Sequence, residues 1–219
     1  MTISPDRFGT IGVLGGTGPQ GRGLAGRFAA GGLAVVVGSR DAARAAATAE
    51  ALGHGVRGAS NHDCAAASDL VVVAVPYDGH AALLTDLAPV LAGRLVVDCV
   101  NPLGFDQQGA FALAVPEGSA AQQAAALLPG STVVAAFHHV SAVLLEDASV
   151  ASLDTDVLVL GDDREATDLV ADLVAVIPGM RGVYAGRLRN AHQVEALTAN
   201  LISVNRRYKA HAGIRVTDV

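Results

Sequence analysis

The glycines of Gly15-Gly16-Thr17-Gly18-Pro19-Gln20-Gly21 offer a chemistry that needs no reactive side chain. Counted from Gly16, they form Gly16-x-Gly18-x-x-Gly21. In that spacing one glycine serves a tight turn, one lets a pyrophosphate approach the backbone, and one packs a helix on a strand. A side chain at Gly18 would stand where phosphate oxygens need to be. A helix opening at Pro19 presents unpaired N–H groups and the positive end of its dipole to that space, which suits an anion. Pro19 and Gln20 fall in its first turn, where a missing N–H costs nothing. The pattern alone also describes an ordinary tight turn, and its context decides. An apolar run from Thr10 to Leu14 precedes it, a helical run from Arg22 to Ala30 follows, and a second apolar run from Ala34 to Val37 comes next. That is one βαβ unit of roughly thirty residues, as dinucleotide binding requires.

The end of the second strand discriminates between the two nicotinamide dinucleotides. An acid there takes the ribose hydroxyls, whereas a cation with small polar donors accommodates a 2′-phosphate. The strand runs out into Gly38-Ser39-Arg40; Asp41 lies about twenty residues past the last glycine, near where a ribose-binding acid is expected, but its place just ahead of the helical run Ala42 to Leu52 favours the N-cap of that helix. Arg44 then lies on the first turn of that helix, able to lean back toward Ser39 and Arg40. Two guanidiniums and a hydroxyl converging on one point form a phosphate clamp. Discounted for exposure, such a clamp favours NADP over NAD by about 10²- to 10⁴-fold. The alternative is that Arg40 and Arg44 are a solvated helix face.

Three further strand ends carry candidate residues. The apolar run from Leu70 to Val75 stops at Pro76, so Val75, Pro76 and Tyr77 are expected to border the nicotinamide, because ligands of such sheets collect beyond the carboxyl ends of the strands. Leu95 to Cys99 ends at Asn101-Pro102, where Asn101 reads equally as a cofactor contact or a turn residue. Val133 to Phe137 ends in His138-His139-Val140-Ser141-Ala142. Neighbours on a strand point to opposite faces, so the two histidines are poorly placed to share a metal ion, and none is expected. One of them is expected beside the redox site. Asp162 and Asp163 read as dipole partners at a helix start, not as an acid–base pair.

The elements that hold these residues alternate between strand and helix. They predict an α/β chain of Rossmann type, with a doubly wound, mostly parallel sheet and a small C-terminal α/β extension. The expected division is a nucleotide-binding part over 1–130 and a smaller part over 131–219. Within it, Gly53 to Gly58 resists assignment, 104–118 reads as an irregular excursion, and Ser119 is placed to cap a helix. The last helix, from Ala191 to about Arg207, carries Val194, Leu197, Leu201 and Val204 as an apolar stripe.

At 219 residues, 51% hydrophobic and 16% charged, the chain is ample for a well-buried core, and composition excludes disorder. A net charge of −6 argues against nucleic acid as a partner, so a polyanionic cofactor must be held by local clamps. The N-terminal residues lack a cationic segment followed by an apolar core, and no apolar run approaches the length of a membrane span. Cys64 and Cys99 are unpatterned and read as small core residues. Together these predict a cytoplasmic protein with small-molecule partners.

With those residues in hand, the chain resembles the NADPH-dependent reductases of coenzyme F420, the F420H2:NADP oxidoreductases. The resemblance runs through most of the chain. It is most specific at Gly15 to Gly21 with Gly23-Leu24-Ala25, at Val37-Gly38-Ser39-Arg40, at Gly161-Asp162-Asp163, and at Ala185-Gly186-x-Leu188 leading through Asn190 to Glu195-Ala196-Leu197-Thr198. It implies two cofactors, NADP and coenzyme F420, and hydride transfer between them. Thr17, Ser39, Arg40 and Arg44 look like the family's 2′-phosphate contacts, and Gly18, Pro19 and Gln20 like its pyrophosphate loop. His138, Val140 and Ala142 look like the segment that keeps the nicotinamide and deazaflavin in register, with Asn101 against the nicotinamide and Leu188 to Asn190 helping to enclose the deazaflavin. Ser141 departs from the proline common after the position of Val140. The resemblance also implies a homodimer, with the C-terminal helix as its natural contributor. Two other readings fit the nucleotide domain. One is a reductase of an imine or keto acid, for whose usual helical domain the chain lacks room. The other is a non-catalytic NADP sensor.

Overall fold

The computed structural model describes residues 5–219, so the N-terminal reading above falls partly on residues 1–4, outside the described residues. The elements follow the predicted alternation. β1 (Thr10–Leu14) leads into α1 (Pro19–Ala30), and β2 (Ala34–Ser39) into α2 (Ala42–Leu52). β3 (Arg57–Ser60) and α3 (Asn61–Ala66) follow, then β4 (Leu70–Val73), α4 (Tyr77–Leu91) and β5 (Leu95–Asp98). The stretch expected to be irregular holds a hairpin, β6 (Leu103–Asp106) with β7 (Gly109–Ala112). The rest comprises α5 (Ala120–Leu127), β8 (Thr132–Ala135), α6 (Ala142–Glu146), β9 (Thr155–Gly161), α7 (Arg164–Ala175), β10 (Met180–Gly186) and α8 (Ala191–Tyr208).

Eight strands form one sheet in the order β10-β9-β8-β5-β4-β1-β2-β3, parallel throughout except where β9 runs antiparallel to β8. β8, the first strand past residue 130, hydrogen-bonds to β5, so both parts of the chain share this sheet. The order reverses at β1, which pairs with β2 on one side and β4 on the other. A crevice therefore opens beyond the carboxyl ends of β1 and β4.

Side-chain alternation along the central strands splits the core into two layers. Ile11 and Val13 of β1 belong to the same buried layer as Leu24 and Phe28 of α1, Ala45 of α2 and Val170 of α7. Leu14, on the other face, belongs to the layer that holds Cys64 of α3, Leu84 and Leu87 of α4, Ala121 of α5 and Val194 of α8. Only the inner end of the predicted α8 stripe is covered, since Val194 is buried while Val204 is 37% exposed.

Caps set the helix starts that matter for the site. Asp41 accepts hydrogen bonds from the amides of Ala43 and Arg44, Ser119 from Gln122, and Asp163 from Ala166. α6 is anchored differently. The Arg27 guanidinium of α1 donates to the carbonyls of Leu145 at 2.9 Å, Val150 at 2.7 Å, and Leu144 and Asp147 at 2.8 Å. Because α6 begins just past the paired histidines, this one cation fixes where their loop must end.

Candidate functional site

The glycines of the opening loop differ in what surrounds them. A Cβ on Gly16 would lie 2.7 Å from the Val37 methyl, and one on Gly21 would lie 2.7 Å from the Gly15 carbonyl. These two positions are closed by packing. A Cβ on Gly18 would meet only the Gly15 carbonyl, at 3.4 Å, and otherwise faces the open crevice. The backbone at Gly18 is therefore the open part of the loop.

A cleft of about 540 Å³ runs from that loop across the end of β2. It is lined by Thr17, Gly18, Ser39, Arg40 and Arg44, and at its far end by Val75 and Pro76. Arg40 and Arg44 thus stand on the same cleft as the loop. Ser39 is held in place by the Asp41 amide, which donates to its hydroxyl at 3.2 Å. Asn61, at the start of α3, also lines this cleft, and its buried Oδ1 has no protein partner. Sequence reading passed over Asn61 because nothing local marks it; β3 carries it beside β2. Gly16, Pro19 and Gly21 do not line the cleft.

Ala74 and Val75 also line a second cleft, of about 370 Å³, on the other side of β4. Its walls include Asn101, His138, Val140 and Ala142, all expected from sequence, together with Thr198, Ile202 and Asn205 of α8 and His211 beyond it. Gln20 belongs here too. Its side chain turns away from the phosphate loop and donates to the Phe137 carbonyl at 3.1 Å. Leu188 instead is buried among the core residues next to α5 and α8 and lines neither cleft.

The histidine loop is pinned by its backbone. β8 ends at Ala135, so His138 and His139 lie in a turn and not on a strand, and Phe137 takes a left-handed φ of +63° to enter it. The His138 carbonyl accepts hydrogen bonds from Asn101 Nδ2 at 2.7 Å and Thr198 Oγ1 at 3.0 Å. Asn101 is therefore a tether of this loop, with its buried Oδ1 left without a protein partner. The His138 ring is 3% exposed and neither nitrogen has a protein partner. Burial lowers its pKa to about 4, so the imidazole is neutral near pH 7. His139 is likewise lowered to about 4 by burial, and its Nε2 accepts from the Leu158 amide at 3.2 Å. Among the described residues no group of three His, Cys, Asp or Glu side chains is placed to hold a metal ion.

A buried polar network supports the cleft floor. His80 Nε2 lies 2.7 Å from Asp98 Oδ2, and Nδ1 lies 3.0 Å from Gln123 Oε1. Gln123 donates through Nε2 to Glu117 at 3.1 Å, so its oxygen faces His80 and Nδ1 must donate. With Nε2 donating to the carboxylate, His80 is an imidazolium. Burial opposes that charge, but the hydrogen bond and charge of Asp98, with the Gln123 hydrogen bond and the charge of Glu195, together outweigh it and raise the pKa. The other Asp98 oxygen accepts from the Val100 amide at 3.0 Å, which sets the backbone of a cleft residue. From α8, Glu195 caps α5 by accepting from the Ala120 and Ala121 amides at 2.9 and 3.1 Å. The Glu195-to-Thr198 motif thus has a mechanical reading: the acid seats α8 on α5, and the threonine one turn later holds the His138 carbonyl.

Residues 10–102 match the family described as NADP oxidoreductase, coenzyme F420-dependent. The chain is 38% identical to the F420-dependent NADP reductase of Methanothermobacter thermautotrophicus, over 95% of each chain. The chain belongs to this family. A crystal structure from Arthrobacter sp. FB24, assigned as an F420-dependent NADP reductase, superposes with a TM-score of 0.83 at 28% identity, covering 96% of this chain and 99% of that one. An imine reductase from Bacillus cereus shares the fold, with a TM-score of 0.65 at 19% identity. This chain spans 91% of its own length in that match but only 63% of the imine reductase, so a third of that enzyme has no counterpart here. The likeness to coenzyme F420-dependent oxidoreductases therefore extends to the whole molecule, and the likeness to imine reductases only to the shared part.

Proposed function

We propose that the protein is an oxidoreductase that transfers a hydride reversibly between coenzyme F420 and NADP. The observation that carries this reading is the meeting of two clefts at Ala74 and Val75, one leading to a phosphate loop and an arginine pair, the other closed by the histidine loop and α8. Family membership identifies the pair of ligands that two abutting clefts of this kind would serve.

When bound, the nicotinamide and the deazaflavin supply the redox chemistry themselves, a hydride passing between C4 of one and C5 of the other. The chain's own part is to hold. The first-turn amides of α1 and the open backbone at Gly18 fit a pyrophosphate. Thr17, Ser39, Arg40 and Arg44 fit the extra phosphate of NADP, with charge-assisted bonds at the guanidiniums. Val75 and Pro76 present a rigid backbone edge between the two ring sites. His138, Val140 and Ala142 form the opposite wall. Because His138 is neutral and buried, its role is to place the rings and exclude water, not to move a proton. The two-part division at residue 130 then has a functional sense, with the first part binding the dinucleotide and the second completing the deazaflavin pocket.

The protein is assigned to the cytoplasm and to a homodimer. Supporting the first are the buried, unpaired cysteines and, among the described residues, the lack of any helix long and apolar enough to cross a membrane. Supporting the second are Val204 and Tyr208, one turn apart on α8 and 37% and 73% exposed.

The test is to mix the protein with NADPH and oxidised coenzyme F420 and follow the deazaflavin absorbance. Bleaching dependent on the protein is expected. Tight NADPH binding without bleaching would leave a nucleotide sensor and refute the assignment.

A further inference from the structure

The second cleft does not end at its ring-sized chamber. Ile202 lines it and also lines a groove of about 530 Å³ between α8 and the β6–β7 hairpin. On the α8 side this groove is walled by Ser203, Arg206 and Arg207, and on the hairpin side by Phe105 and Gln108. The groove and the cleft therefore adjoin at Ile202.

Its charge is out of keeping with the rest of the molecule. Arg206, Arg207 and Lys209 place three formal positive charges within four residues, with no acid up to His211, in a chain of net charge −6. Among the described residues none of the three forms an ion pair, whereas Arg7, Arg22, Arg94, Arg181 and Arg215 each face a carboxylate. The one acid on the groove, Asp106, is engaged by the hairpin turn, accepting from the amides of Gln108 at 2.7 Å and Gly109 at 3.1 Å. Cations in a last turn answer the helix dipole in any protein. The dipole does not require that Arg206 and Arg207 line a groove adjoining a ligand cleft at Ile202.

Resting on the hydride-transfer reading above, we infer that this groove is a subsite for an anionic chain carried by the second substrate. The planar ring occupies the cleft, and the phosphate and carboxylate groups attached to it run past Ile202 onto Arg206 and Arg207. Specificity for the tail-bearing coenzyme over a bare deazaflavin then resides in α8, apart from the residues that hold the ring.

The experiment compares two deazaflavins, tail-bearing coenzyme F420 and the same ring cut back to its ribityl chain, by titration of their fluorescence against wild type and the double variant Arg206→Ala/Arg207→Ala. Wild type is expected to bind the tail-bearing form about tenfold more tightly, the summed effect of two exposed charge contacts. The variant should lose that factor for the tail-bearing form only, with the tailless form and NADPH bound as before. The wild-type preference should also shrink as salt rises, a readout that needs no variant. Equal loss for both deazaflavins, no wild-type preference, or a salt-independent preference would overturn the subsite while leaving hydride transfer intact. A change of oligomeric state with unchanged tail preference would overturn it in favour of a contact between copies. Binding of neither deazaflavin by wild type would overturn the functional reading itself.

Discussion

Acidification gives the sharpest test of how the histidine loop is built. Burial holds His138 at about 4 in the folded chain, below the 6.5 of an exposed histidine, so the unfolded chain takes up a proton first as pH falls. The stability that the neutral ring provides is complete above about pH 6.5 and is lost as pH falls toward 4. At pH 5 the difference between those two titrations amounts to about 2 kcal/mol relative to pH 8. His138→Asn keeps a polar side chain at the site but cannot titrate. Urea unfolding of wild type and variant should therefore show stability curves that converge by about 2 kcal/mol between pH 8 and pH 5, whatever their offset at pH 8. The same neutrality predicts that kcat/KM of wild type shows no histidine titration between pH 6.5 and 8, and that His138→Ala slows turnover without abolishing it. Parallel loss of stability in the two proteins, or a rate profile that follows one group near 6.5, would refute the assignment of His138 as a buried neutral spacer.

The remaining expectations concern the nucleotide and the C-terminal part. Arg40→Ala/Arg44→Ala should weaken NADPH by about 10²-fold and leave NADH unchanged in calorimetry, since the pair addresses only the added phosphate. Gly18→Ala should fold with near wild-type stability yet lose dinucleotide binding, whereas Gly16→Ala should destabilise the fold by about 1–3 kcal/mol in thermal unfolding, because its Cβ would press on the Val37 methyl at 2.7 Å. Asp156 is fully buried and gathers Arg181 at 2.7 and 2.8 Å, Arg215 at 2.6 Å and the Val216 amide at 2.7 Å. Asp156→Asn should release the C-terminal residues, cost about 2 kcal/mol in urea, and expose that tail to limited proteolysis.

Much of the fold was legible because its signals are local. The α1 start at Pro19, the Asp41 cap and the buried run of β4 each depend on a few adjacent residues; the first two stand where those residues place them, and β4 begins at Leu70 as read but ends at Val73, two residues short of the run. β3 was not legible because Arg57 to Ser60 has no apolar run; it becomes a strand by pairing with β2, not by its own propensity. The β6–β7 hairpin was missed for a related reason, its Leu103-to-Asp106 partner segment being short and broken by Gly104. For the site, the loop side of each cleft could be read from strand ends. The wall supplied by Thr198, Ile202 and His211 could not, because it is brought in from about sixty residues beyond His138 and announces itself only through the Glu195-to-Thr198 spacing. Gln20 misled in one respect: its place in the helix suggested phosphate, and its rotamer serves the other chamber.

The partition at Ala74 and Val75 has an evolutionary corollary. Since the two chambers meet at Ala74 and Val75, residues apart from both outer ends, substitution of side chains at either outer end leaves the meeting point in place. On the proposed assignment, preference for one dinucleotide over another would drift at Arg40 and Arg44 while preference for the partner molecule would drift on α8, each without retuning the other. A scaffold with that independence can trade one redox currency for another while keeping the spot where electrons cross.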